Sequence, residues 1–82
     1  MKTYIATFFS HYGAIQFRSH AKSVGFSCTL MPVPRSLSSS CGTCAKYEYA
    51  TWDTGFMDEA LEGIYLLDSQ NSFELMFQTK DI

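Results

Sequence analysis

The sequence predicts a single small α+β domain, and three observations carry that reading. Short segments rich in β-branched and aromatic residues alternate with two amphipathic stretches of helical period, Gly and Pro punctuate the joins, and the chain has 82 residues. Hydrophobic residues make up 46% of it and charged ones 17%, the balance of a folded chain. A domain of this length buries only about two-thirds of the surface its unfolded chain exposes. It has no room for a deep cleft between domains, so any chemistry must sit on a loop or an edge.

Residues 3–9, TYIATFF, are β-branched and aromatic on both parities and read as a strand buried on both faces. Ser10 is placed to cap a helix in which Ala14, Phe17, Ala21 and Val24 share a face, Gln16, Arg18, Lys22 and Ser23 lie outside it, and Gly25 ends it. Residues 26–31 alternate, with Phe26, Cys28 and Leu30 toward the core and Ser27, Thr29 and Met31 opposite, until Pro32 and Pro34 stop the strand. The Pro- and Ser-rich stretch from Pro32 to Cys44 is a loop. In the next strand Ala45, Tyr47 and Tyr49 alternate with Lys46 and Glu48. Its polar parity includes Cys44, which aims that thiol away from the core.

Phe56, Met57, Ala60, Leu61 and Ile64 then share one face of a short second helix opposite Asp58, Glu59 and Glu62. Asp53 or Thr54 is its expected cap and Gly63 its terminator. Ile64 to Leu67 reads as a strand, Asp68 to Ser72 as a turn, and Phe73, Leu75 and Phe77 as one face of a last strand, unless Ser72 caps a terminal helix. This order is the split, ferredoxin-like βαββαβ arrangement on an antiparallel sheet, extended by a C-terminal strand or short helix, with residues 1–82 as one domain.

Composition narrows the function classes. Six basic residues against eight acidic ones give a net charge of −2 and no electrostatic footprint for nucleic acid. The apolar run Tyr4 to Phe9 is too short to span a membrane and lacks a secretory cleavage signal, so the expectation is a cytoplasmic protein. Trp52, Tyr47 and Tyr49 read as packing residues and His20 as a solvated helix residue.

The cysteines are the place to look for chemistry. Three cannot all pair; Cys28 lies on the apolar parity of a strand, whereas Cys41 and Cys44 are three positions apart in a loop, a spacing suited to redox or metal chemistry. One CxxC supplies half of the four ligands a structural zinc needs, and His11 and His20, nine residues apart, fall on different helical faces, so no metal site is expected within one chain. Two copies sharing zinc or an iron–sulfur cluster would complete four sulfur ligands. A last strand at a sheet edge gives such a homodimer a means of pairing.

The expected topology makes the first two strands parallel, so the loop with Cys41 and Cys44 and the turn Ser10–His11–Tyr12 leave the same sheet edge. A thiol acts as a nucleophile through its thiolate, which a helix N-terminus, an imidazolium or a guanidinium stabilises. His11 and Arg35 are the nearest candidates by sequence, with Lys46 behind them. Gly42 permits positive φ, so successive amides can turn inward as an anion-binding nest, and Ser38, Ser39 and Ser40 add hydroxyls. A persulfide or perselenide anion would be held by the same donors.

Two segments, YIATFFSHYGAIQF at residues 4–17 and LMPVPRSLSSSCGTC at residues 30–44, resemble the small bacterial selenium/sulfur carrier-like family. AKYEYA and EGIYLL look like it too, and the likeness is most specific at PVPR and SSSCG. The resemblance implies that sulfur or selenium is held on Cys41 within a sulfur relay or selenium metabolism. On that reading the protein is a carrier or accessory protein more than a stand-alone enzyme, with donor and acceptor proteins as partners. It has a transient chalcogen adduct and no resident cofactor. Cys44 is the second or resolving thiol, and His11, Arg35, Ser39, Ser40 and Gly42 stabilise the anion. The alternatives are a thiol–disulfide redox protein cycling Cys41 and Cys44, and a module that binds metal at a homodimer interface.

Overall fold

The computed structural model describes residues 1–37, 39–56 and 59–79. They form β1 (Lys2–Phe8), α1 (His11–Val24), β2 (Cys28–Pro32), β3 (Thr43–Tyr49), β4 (Leu61–Leu67) and β5 (Phe73–Gln78). The strands make one five-stranded antiparallel sheet in the order β2-β3-β1-β4-β5. β1 lies at its centre, between β3 and β4, and its residues Tyr4 to Phe8 are all buried. That burial is why the segment is apolar on both parities.

Alternation divides the sheet into two faces. Tyr4, Ala6 and Phe8 meet α1 and form the core with Ala14, Phe17, Ala45, Tyr47, Leu61 and Ile64. Phe17 is its hub, its ring lying 5.1 Å from Tyr47, 5.2 Å from Phe56 and 5.6 Å from Phe8 between centroids. Ile5, Thr7 and Cys44 lie on the opposite parity and are also buried. Tyr47 donates its hydroxyl to Trp52 O at 2.8 Å, and Trp52 stacks on Phe77.

The helix follows its sequence signals. Ser10 caps it by accepting from Gly13 N–H at 3.2 Å, and Gly25 closes it in the left-handed region at φ 100° with its N–H on Ala21 O. A side chain at Gly13 would overlap the Cβ of Ala60, so this glycine lets the first turn lie directly against that residue. Val24, expected on the buried stripe, is exposed because the stripe ends at Ala21.

The second helix is not found among the described residues, so the sheet is not assembled in the expected βαββαβ order. Met57 and Asp58, within that expected helix, lie outside the described residues. Phe56 packs back onto Phe17 and His20. From Leu61 onward the chain is strand, because pairing with β1 engages Leu61, Gly63 and Ile64 with Phe8, Thr7 and Ala6. Gly63 therefore does not end a helix. It sits mid-strand, where a Cβ would come within 3.2 Å of Phe77 O, the close backbone approach that a strand glycine signals. The C-terminal extension is the strand β5. Ser72 donates its N–H to Asp68 Oδ1 at 2.9 Å, closing the turn that leads into it.

β1 and β2 are both antiparallel to β3 and so run the same way. Their C-terminal ends, the start of β3 and the start of β4 share one sheet edge with the N-terminus of α1. No helix among the described residues is long and apolar enough to cross a membrane.

Candidate functional site

The β2–β3 connection rises from this shared edge. Its base is closed where Val33 N–H donates to Gly42 O at 3.1 Å, and Gly42 adopts φ 75°, the left-handed conformation expected from the CGTC sequence. Leu37 N–H returns to Pro34 O at 3.0 Å, forming a turn that carries Arg35. Ser36 and Leu37 share a shallow cavity with Tyr65, Phe73 and Leu75, so the loop folds across the sheet face turned away from α1.

The three thiols are free and unequal. Cys41 is half-buried at the loop's exit and donates its S–H to Thr43 O at 3.3 Å. Cys44 is fully buried on β3 and directs its S–H toward Pro32 O at 3.7 Å. Burial, and secondarily the neighbouring Cys41, push the Cys44 thiol up to about 11. Cys28 is half-buried against the core, and there too burial raises the thiol to about 11, with Arg18 opposing. Cys44 is therefore on the face the alternation indicated but is not accessible. Parity assigns a side chain to a face, and here that face is itself buried at Cys44.

His11 reaches the site from the first turn of α1. Its Nδ1 lies 3.3 Å from Thr43 Oγ1, and the carbonyl of that same threonine accepts from Cys41. The helix start brings no acidic side chain in its first turn. Arg35 is exposed in the loop and Lys46 is exposed on β3. His20 is not a solvated residue: its Nε2 donates to Thr54 O at 2.8 Å and its ring packs among Phe17, Phe26 and Phe56, which ties α1 to the segment before β4.

The serines already have partners inside the protein. Ser39 donates its hydroxyl to Phe8 O at 3.1 Å. Ser40 grips the Glu62 carboxylate at both oxygens, through its N–H at 3.3 Å and its hydroxyl at 3.1 Å. Ser38 lies outside the described residues. Sequence reasoning missed Glu62 by placing it on the outside of a helix. The register between β1 and β4 shifts at this point, with Thr7 opposite Gly63 and Phe8 opposite Leu61, so Glu62 is the extra residue of a β-bulge. Bulges re-aim side chains. The signal was the lone glycine after Glu62 inside an apolar run.

Among the described residues no three His, Cys, Asp or Glu side chains are gathered as a metal-binding group. The fold and the loop together define a small α+β domain that displays a half-buried cysteine between glycine and serine at a sheet edge. Residues 3–54, more than half of the chain, match the model of the family described as "Putative Se/S carrier protein-like", and the chain belongs to that family. No curated protein and no solved structure matches it.

Proposed function

We propose that the protein is a cytoplasmic carrier that holds sulfur or selenium on Cys41 as a persulfide or perselenide and presents it to partner proteins. One observation carries this choice of residue: Cys41 lies at the exit of the edge loop within the family-matched region, while burial holds Cys28 and Cys44 in the thiol form. In the transfer step the Cys41 thiolate attacks the outer sulfur of a donor persulfide. A bond forms from Cys41 Sγ to that sulfur, the donor S–S bond breaks, and the donor leaves as its thiolate; a selenium donor reacts in the same sense.

The Cys41 S–H now faces a carbonyl, which a thiolate would repel, so ionisation turns the sulfur toward donors. The Thr43 that accepts from Cys41 also pairs with His11 in the first turn of α1, and in this reading His11, the helix N-terminus and the amides of the Gly42 turn stabilise the anion. Arg35 supplies an exposed positive charge, and Ser39 and Ser40 act by bracing the loop. An acceptor thiolate attacking the outer atom returns Cys41 to its resting form.

A second reading rests on the CxxC spacing, which places Cys41 at the loop's exit and Cys44 three positions on in β3. Cys44 serves as resolving thiol, attacking the inner sulfur of the Cys41 persulfide, forming a disulfide and releasing hydrosulfide. Intact mass after incubation of reduced protein with a sulfur or selenium donor tests both. A mass gain lost in Cys41→Ala and kept in Cys44→Ala supports the carrier. No adduct on any form, together with a reproducible Cys41–Cys44 disulfide, replaces it with a redox protein.

A further inference from the structure

A second feature lies on the α1 face of the sheet. A cavity of about 170 Å³ opens where the segment before β4 passes over β4 and β5. Phe17 and Leu61, both buried, form its floor; Phe56 and the stacked pair Trp52 and Phe77 supply aromatic walls, and the exposed Asp53 brings a carboxylate. Four aromatic rings and one negative charge are thus gathered, with no Lys, Arg or His among the described residues of the lining.

Each part selects for the same chemistry. The face of an aromatic ring is the negative pole of its quadrupole and attracts a cation, most strongly one whose weak hydration makes desolvation easy. Asp53 adds a full charge, and its Oδ1 is held in place by Gly55 N–H at 2.9 Å. Burial, then Tyr4 and then Asp53 push the nearby Tyr47 phenol above its usual range. Polar side chains among the described lining residues are confined to Asp53 and Thr54, and the floor is apolar, so a hydrated metal ion or a primary ammonium would give up more hydration than the site returns. At about 30 Å³ per water the volume equals five or six water molecules, which suits a group of about five heavy atoms.

We propose that this cavity is a binding site for a compact, fully alkylated organic cation of the quaternary ammonium or sulfonium type. The site stands apart from Cys41 and holds whether or not that cysteine carries a chalcogen. Trp52 is the only tryptophan of the chain and part of the wall, so its fluorescence reads the site directly.

The test titrates the full chain with tetramethylammonium chloride, against sodium chloride at equal ionic strength and against the neutral isostere tert-butanol. The expected result is a saturable change in Trp52 emission with a Kd in the millimolar range, absent with sodium and roughly tenfold weaker with tert-butanol. Asp53→Asn keeps an oxygen for Gly55 N–H and removes the charge. It is expected to weaken the cation several-fold and leave tert-butanol unchanged, with its folded amide spectrum checked by NMR. Equal affinity for cation and isostere, no saturable change, or an Asp53→Asn variant that binds the cation like the parent would each overturn the proposal.

Discussion

Ser40 holds the two carboxylate oxygens of Glu62, one through its backbone N–H and one through its hydroxyl, across 22 positions of sequence. The donors expected to cradle an external anion beside Cys41 thus hold the protein's own. Glu62→Gln replaces one acceptor with an NH2 group and removes the charge. Because the pair is solvent-exposed, its loss should cost about 1 kcal/mol or less of global stability. The larger effect is expected locally, as several-fold faster alkylation of Cys41 and faster amide exchange between Val33 and Gly42. Unchanged rates at both would show that the clamp does not brace the loop.

The thiols should react in a fixed order. At pH 7.5 iodoacetamide is expected to modify Cys41 first, with Cys44 last, since its sulfur is buried and its thiol raised. Peptide mapping of a time course reads this. Cys41→Ser should abolish the fast phase, and a fast phase that persists in that variant would assign the reactive sulfur elsewhere.

Stability should fall between about pH 9 and pH 11. Cys28 and Cys44 have thiols raised from the ordinary 9.0 to about 11, so in this window the folded chain keeps protons that the unfolded chain releases. Their contribution is complete below pH 9 and is lost as pH rises toward 11. Tyr47, raised chiefly by burial, acts in the same sense at the upper end. Urea unfolding at pH 8 and pH 10.5 measures the drop, and Cys28→Ala combined with Cys44→Ala should make it shallower. An equal drop in that double variant would place its origin in other groups.

Two glycines should respond differently to alanine. At Gly13 the added methyl overlaps the Cβ of Ala60, and although alanine favours a helix by about 1 kcal/mol, overpacking at this close contact should dominate, with a net loss of roughly 1–3 kcal/mol. At Gly42 a Cβ meets nothing within 4 Å, and only the positive φ opposes it, at about 1 kcal/mol. Thermal unfolding compares the two. A Gly13→Ala protein as stable as the parent would mean that the Ala60 segment moves aside freely.

Much of this arrangement was legible in the residues. Ser10 and Gly25 mark the ends of α1, Cys28 and Leu30 give the inner face of β2 with Phe26 packed on the core just before it, and the parallel course of β1 and β2 puts His11 beside the start of β3. The apolar spacing from Phe56 to Ile64 misled because it matches a helical turn, whereas from Leu61 onward pairing with β1 decides the outcome. Gly63 was the contrary sign. The burial of Cys44 was not legible because it depends on where a loop folds back, which alternation along a strand does not encode. Glu62 was hidden for a related reason: a bulge changes direction by one residue and leaves only a glycine as its trace.

The cysteine loop is fastened at three levels, to its own base through Val33 and Gly42, to β1 through Ser39, and to β4 through Ser40. Its conformational entropy is therefore surrendered when the chain folds, not when another molecule arrives. If Cys41 serves as the proposed carrier residue, a protein docking on it would meet a surface already in shape, so recognition would not begin by ordering the loop. Such preorganisation lowers the ordering cost of docking, so a small interface can suffice.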